Sequence, residues 1–300
     1  MLRPFELHRP STVSEATALL AARPDAALYA GGTELLLLMK ARLVHLDDLI
    51  DLKRIPDLGR LTETGGGLEL GATVTHRALE RSEVVRARWP LVADVAAHVA
   101  NVRVRNVGTV GGNLAFADPH SDLATLFLVF DATVRLASVT GPRELALGDF
   151  VRGPYETARR PEELLAGVRL RPWPPRTVGV YVKFGLYERP TLGLALALTL
   201  DAGERVTAVR LAVGCVSARP HRLAAAEGAL AGHALGALGG LGEEFGALAA
   251  RAIDPVSDLH GAADYKRELT GVFARRALAA AVARAEGRAP AARYPHAVVV

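Results

Sequence analysis

The 300-residue chain contains one cysteine, Cys215. An intrachain disulfide and an iron–sulfur cluster ligated by this chain alone are therefore excluded. Cys215 ends a strand-like run, LAVGCVS, and reads as a buried structural thiol. Long apolar runs are also missing. LGLALALTL (192–200) is about half the ~18 residues of a membrane helix and reads as a buried strand. The start, MLRPFELHRPST, has no uninterrupted apolar core, so no signal peptide is expected. These features point to the cytoplasm. Lysine is scarce, limited to Lys40, Lys53, Lys183 and Lys266, so the +4 net charge is mostly arginine. The basic residues are scattered among acids, and nucleic-acid binding would need a clustered footprint. The patterns G-x-G-x-x-G, Gly-Lys-Ser/Thr, G-x-S-x-G and H-E-x-x-H are all absent.

What is present is glycine in two places. In NVGTVGGNLAFADPHSD (106–122), Gly108, Gly111 and Gly112 lie within five positions beside Thr109 and Asn113, with Asp118 and Asp122 following. Glycine admits left-handed backbone and close approach of other groups. Such a turn can direct N–H groups inward and cradle an anion. The run SDLATLFLVFD (121–131) then opens with a capping serine. AGGTE (30–34) repeats the theme, with Thr33 as the expected cap of ELLLLMK. Two Gly-Gly turns, each opening onto a helix start, suit a ligand carrying a pyrophosphate.

Residues 1–60 read as a small α/β unit: helix 14–22, strand 26–30, helix 34–41 and strand 49–52, ended at Ile55-Pro56. Residues 61–175 read as a second unit. TGGG (64–67) signals a hairpin joining strands 59–63 and 68–72, a short helix follows at 75–81, and 89–101 has helical periodicity. Strands are expected at 133–137, 143–147 and 164–170. The proline-rich RPWPPR (171–176) is the linker candidate. Strands 178–184, 192–201 and 206–213 then precede helices 222–231, 241–251 and 263–286. Strands followed by helices indicate an α+β domain with a three-stranded antiparallel sheet, here 176–290, and a tail at 291–300.

His98 and His120 read individually as surface or core histidines. Asp118, His120 and Asp122 could form a metal site on paper, or an Asp–ribose contact. No metal is expected on this chain, and no side chain is expected to act as a catalytic acid or base.

AGGTE, followed about eighty residues later by RNVGTVGGNLAFADPHSDLATLFLVFDATV, resembles the FAD-binding (medium) subunit of molybdenum hydroxylases. Xanthine dehydrogenase and aerobic carbon monoxide dehydrogenase have such subunits. IDLKRIPDL (50–58), LGATVTHRALERS (70–82), RPEELLAGVRL (160–170), YVKFG (181–185) and VGCVSARPHRLAAAEGAL (213–230) extend the likeness over nearly the whole chain. The resemblance implies an α+β flavin fold of the vanillyl-alcohol-oxidase type. Residues 1–175 would be an FAD-binding domain of two subdomains with FAD extended between them, and 176–290 a C-terminal α+β domain.

By matching motif positions, Ala30, Gly31, Gly32, Thr33 and Glu34, with Thr109, Val110, Gly111, Gly112 and Asn113, would hold the pyrophosphate and adjacent groups. Gly31, Gly32, Gly111 and Gly112 would offer unobstructed N–H donors. Ala100 would join the cofactor site, Asp122 would bond its sugar or ribityl hydroxyls, Leu165 would pack near flavin or adenine, and Lys183 would lie near the ring system. The chain departs from the family after YVKFG, where LYERPTLGLA carries Arg189 alone in place of a basic pair.

The implied role is oxidoreductase electron transfer with non-covalent FAD. Electrons would come from a partner's [2Fe–2S] clusters and pass to NAD⁺, a quinone or oxygen. Molybdopterin would sit on a large subunit and the clusters on a small one, in a dimer of heterotrimers. The alternatives are a stand-alone NAD(P)H-dependent flavin oxidoreductase and a flavin-free scaffold subunit.

Overall fold

A computed structural model describes residues 2–185, 189–288, 294 and 296–300. The positions after YVKFG, 186–188, and part of the expected tail, 291–293 and 295, lie outside the described residues. The chain divides into two units, one of residues up to 117 plus 131–172, the other of 118–130 plus 173–300.

The first unit opens with β1 (Glu6–His8), α1 (Val13–Ala22), β2 (Ala27–Tyr29), α2 (Leu35–Lys40) and β3 (Asp48–Asp51). Thr12 caps α1 by accepting from the Glu15 N–H at 3.1 Å, while the Glu15 carboxylate accepts from Ser11 N at 2.7 Å. This reciprocal arrangement puts the cap at Thr12 and starts the helix at Val13, one residue ahead of the expected Ser14. The strands pair in parallel in the order β1-β3-β2. Ala16 and Leu20 of α1 pack with Ile50 of β3 in a core shared with Leu58 and Leu164.

A five-stranded antiparallel sheet follows, ordered β4-β5-β10-β6-β7. It contains β4 (Leu61–Thr64), β5 (Gly67–Gly71), β6 (Thr133–Ser138), β7 (Gly141–Ala146) and β10 (Leu164–Leu170). The TGGG hairpin forms as expected, with Leu61 opposite Leu70. Between β5 and β6 the chain is more broken than its periodicity suggests. It forms α3 (His76–Arg81), α4 (Glu83–Arg88), α5 (Pro90–Ala97), α6 (Val102–Val107) and α7 (Val110–Phe116). The helix expected over 89–101 stops early because Ala100 has φ 40° and Asn101 caps a new helix, accepting from Arg103 N and Val104 N. The chain then leaves for α8 (Asp122–Leu128) and returns at Asp131. Short α9 (Leu147–Phe150) and the hairpin of β8 (Val151–Gly153) and β9 (Glu156–Thr157) complete the unit.

The second unit centres on an antiparallel sheet of β11 (Thr177–Phe184), β12 (Leu192–Leu200) and β13 (Val206–Gly214). Two short strands, β14 (His221–Arg222) and β15 (Ala297–Val299), extend the expected three strands to five among the described residues. The end of the expected tail is thus a sheet strand. All nine residues of β12 are buried, so both its faces are covered. α8 packs on β12 and β13, and α12 (Ala263–Ala285) packs on β11 and β12. α10 (Ala224–Ala229) and α11 (Gly242–Arg251) complete a core that contains Leu194, Leu196, Phe245 and Phe273. Trp173 of the proline-rich linker stacks on Phe130 at 4.2 Å, and its indole N–H donates to Val129 O. No helix among the described residues is long and apolar enough to cross a membrane.

Candidate functional site

β2 delivers the first glycine pair. Gly32 has φ +72°, a conformation that strains any side chain. A Cβ on Gly31 would lie 2.3 Å from the Val107 carbonyl oxygen and 2.9 Å from Gly108 Cα. The two glycine stretches, distant in sequence, are therefore in backbone contact, and only glycine at 31 permits it. Lys53 clamps this turn: Nζ donates to Ala30 O (3.3 Å) and Asp51 Oδ1 (2.7 Å) and lies 3.7 Å above the Tyr29 ring. Among the described residues, the N–H groups of Gly31, Gly32 and Thr33 have no protein acceptor. Thr33 does not cap α2; Glu34 occupies the N-cap in helical conformation, without a side-chain cap bond. The six-residue α2 adds no long dipole, so the donors are those of the turn itself.

The second stretch differs from its expected form. Val110 N donates to Val74 O and Gly111 N to Ala72 O, both at 2.9 Å. Gly112 N donates to Thr109 Oγ1 at 3.1 Å and Asn113 N to Thr109 O at 2.9 Å. The expectation that Gly111 and Gly112 present open donors is corrected, because those N–H groups already serve protein acceptors. Gly111 is required for another reason. Its Cβ would stand 2.5 Å from Ala72 Cβ. Segment 72–76 is the support of this turn, and it ends at His76, which sequence reasoning missed. His76 is 2% exposed, donates its N–H to Gly108 O, and has a buried Nδ1 without a partner. Burial, then the nearby Arg105 charge, push its imidazole down to about 4. Arg105 Nη1 in turn donates to Val99 O and Ala100 O, fixing the left-handed Ala100. Leu165 is buried on β10 beside a register irregularity.

In the second unit, Asp122 opens α8 and is 5% exposed. Its Oδ1 accepts from the Tyr181 hydroxyl (2.9 Å) and its Oδ2 from Lys183 Nζ (2.7 Å). Tyr181, Lys183 and Asp122 therefore form one side-chain cluster, of which sequence reasoning missed Tyr181. A Cβ at Gly193 would come within 2.5 Å of the Tyr181 oxygen, so this glycine makes room for the phenol. Burial and the Asp122 carboxylate push the Tyr181 hydroxyl well up, and burial does the same to the Cys215 thiol. Both stay neutral at pH 7. Asp118, His120 and Asp122 do not converge as a metal site would. Asp118 faces Arg189 and His120, whereas Asp122 faces Tyr181 and Lys183. In the first unit, Glu6, His8 and Asp48 lie close together, with the Arg23 guanidinium 3.3 Å from Asp48. His98 Nδ1 bonds to Asp94 O within its own helix end.

The Gly31–Thr33 turn fits an anionic group: it presents donors without acceptors, and Gly31 and Gly32 bring no side chain between them and a ligand. Residues 3–173 match the FAD binding domain in molybdopterin dehydrogenase, and residues 188–281 match the CO dehydrogenase flavoprotein C-terminal domain. The chain is 35% identical to the carbon monoxide dehydrogenase medium chain of Afipia carboxidovorans, covering 94% of this chain and 98% of that one. It is 33% identical to the nicotine 6-hydroxylase medium subunit of Paenarthrobacter nicotinovorans, covering 92% and 96% respectively. A carbon monoxide dehydrogenase structure from Hydrogenophaga pseudoflava superposes with a TM-score of 0.89 at 35% identity, covering 95% of this chain and 99% of that one. Quinoline 2-oxidoreductase from Pseudomonas putida 86 gives 0.88 at 30% identity, with the same coverage. The chain belongs to the FAD-binding, medium-subunit family of molybdenum hydroxylases, and is an oxidoreductase flavoprotein subunit.

Proposed function

We propose that this chain holds FAD non-covalently, takes electrons from [2Fe–2S] clusters on a small partner subunit and passes them to NAD⁺, a quinone or oxygen. A molybdopterin-binding large subunit completes the complex, as a dimer of heterotrimers in the cytoplasm. The observation that carries the reading is the Gly31–Thr33 turn, whose N–H groups await an acceptor among the described residues. Each hydrogen bond to a charged pyrophosphate contributes roughly 1.5–3 kcal/mol. Val107 and Gly108 abut the turn at Gly31, and the bonds of Val110 and Gly111 to segment 72–74 anchor the start of α7. Ala100, Thr109, Glu34 and Leu165 complete the cofactor site of this reading. The Lys183 ammonium is fixed by Asp122 and favours negative charge on a neighbouring group. The chemistry that FAD supplies when bound is exchange between single-electron and paired-electron transfer. The medium-chain and medium-subunit names of the relatives support the partner assignment.

Anaerobic mixing of the FAD-loaded chain with a reduced [2Fe–2S] partner subunit tests this. Bleaching of the flavin by the reduced partner is the expected result. A flavin that stays oxidised in the presence of the reduced partner would contradict it.

A further inference from the structure

The DPHSD loop holds a second network that the cofactor reading does not use. His120 Nδ1 lies 3.3 Å from Asp118 Oδ1, and its Nε2 lies 3.3 Å from Asp258 Oδ2 without hydrogen-bonding geometry. Asp258 also accepts from Lys266 Nζ at 2.6 Å, and this ammonium is fully buried and donates to Cys215 O. Arg189 meets Asp118 at 3.0 Å. The His260 ring is centred 4.4 Å from that of His120. Among the described residues, the carboxylates of Asp118 and Asp258 and the permanent cations Arg189 and Lys266 surround the two rings. A proton on His260 would add positive charge to a cluster that already holds Arg189 and Lys266.

The backbone ties this network to Asp122. Pro119 O accepts from Cys215 N, Ser121 caps α8, and Asp122 is the next residue. On the other side, His260 is held by the N–H bond to Asp258 Oδ1 and by its carbonyl accepting from Thr191 Oγ1. We propose that the paired His120 and His260 rings form a clasp on loop 118–121, positioning Asp122 and through it Lys183, and that protonation of His260 opens it. The direction agrees with His260 being held below its ordinary value, by burial first and by His120 next. A depressed imidazole contributes stability that is present above pH 6.5 and lost as pH falls through the folded value.

The consequence for cofactor binding rests on assigning Asp122 and Lys183 to FAD, and the test separates the two claims. Wild type and His260→Asn are compared for thermal unfolding and for FAD affinity by fluorescence titration between pH 7.5 and 5. His98→Asn serves as a control of equal composition. One linked proton changes Kd by up to about tenfold per pH unit. In wild type and H98N, Tm falls and Kd rises as pH drops below 6.5, and in H260N both responses are flattened. An acid response in H260N equal to that of wild type would overturn the clasp. A flattened Tm response with no FAD binding at any pH would leave the clasp standing and refute the cofactor assignment. A flattened Tm response with an unchanged Kd response would overturn the link to Asp122.

Discussion

The two units make polar surface in opposite ways. In the first, main chain does it: Gly31 abuts the Val107 carbonyl, and the donors of Gly31, Gly32 and Thr33 face no protein acceptor among the described residues. In the second, side chains do it: Asp122 is gripped by Tyr181 and Lys183, and Asp258 by Lys266. A backbone cradle fails when something is added to it, because a Cβ has nowhere to go. A buried side-chain cluster fails when something is removed, because the remaining charge is left without its partner.

The largest expected effect therefore belongs to subtraction in the second unit. Lys183→Met leaves the buried Asp122 carboxylate with only the Tyr181 hydroxyl of the two donors described, at a cost of about 3–5 kcal/mol. Hydrogen exchange of β11–β13 amides reads this locally, and unchanged protection would erase the contrast. Addition in the first unit comes next. Gly31→Val drives a side chain into the Val107 carbonyl, costing about 3 kcal/mol and at least tenfold in FAD affinity. Equilibrium unfolding and FAD titration check the two parts.

Acid should act on the first unit to a comparable or smaller extent. His76 is neutral when folded, with its imidazole near 4, so its contribution is complete above pH 6.5 and disappears as pH falls through about 4. The loss amounts to roughly 3 kcal/mol at most, at about 1.4 kcal/mol per pH unit. It should vanish in His76→Leu, as read by exchange protection of segment 72–76 against pH. Thr109→Ala removes the cap on Gly112 N and should destabilise by about 1 kcal/mol in urea unfolding. Thr33→Ala is the smallest change. The Thr33 hydroxyl caps nothing, so stability should move by less than about 0.5 kcal/mol.

The same contrast explains what could be read from sequence. Glycine pairs between small polar residues announce a close-approach turn, and both were found at 31–32 and 111–112. Which of their N–H groups stay open depends on segment 72–76, and no local signal reports that long-range pairing. The break between α5 and α6 was hidden because Ala100 is a non-glycine in left-handed backbone, although Asn101 offered a capping signal. The hydrophobic run of β12 disclosed a central buried strand, but β14 and β15 are two and three residues long and carry no periodicity. Asp122 and Lys183 were singled out from motif positions. Their mutual bond, and the role of Tyr181, follow from β11 running past the start of α8. The His120–His260 pair is likewise a product of tertiary packing.

The central claim is that the Gly31–Thr33 amides hold the cofactor's pyrophosphate while the Gly111 and Gly112 amides hold the protein together. Amide proton and nitrogen shifts of the labelled chain, followed during titration with FAD, test it directly. The account expects saturable shifts at Gly31, Gly32 and Thr33 at one FAD per chain, with smaller changes at Gly111 and Gly112. Large shifts at Gly111 and Gly112 with none at residues 31–33 would contradict it.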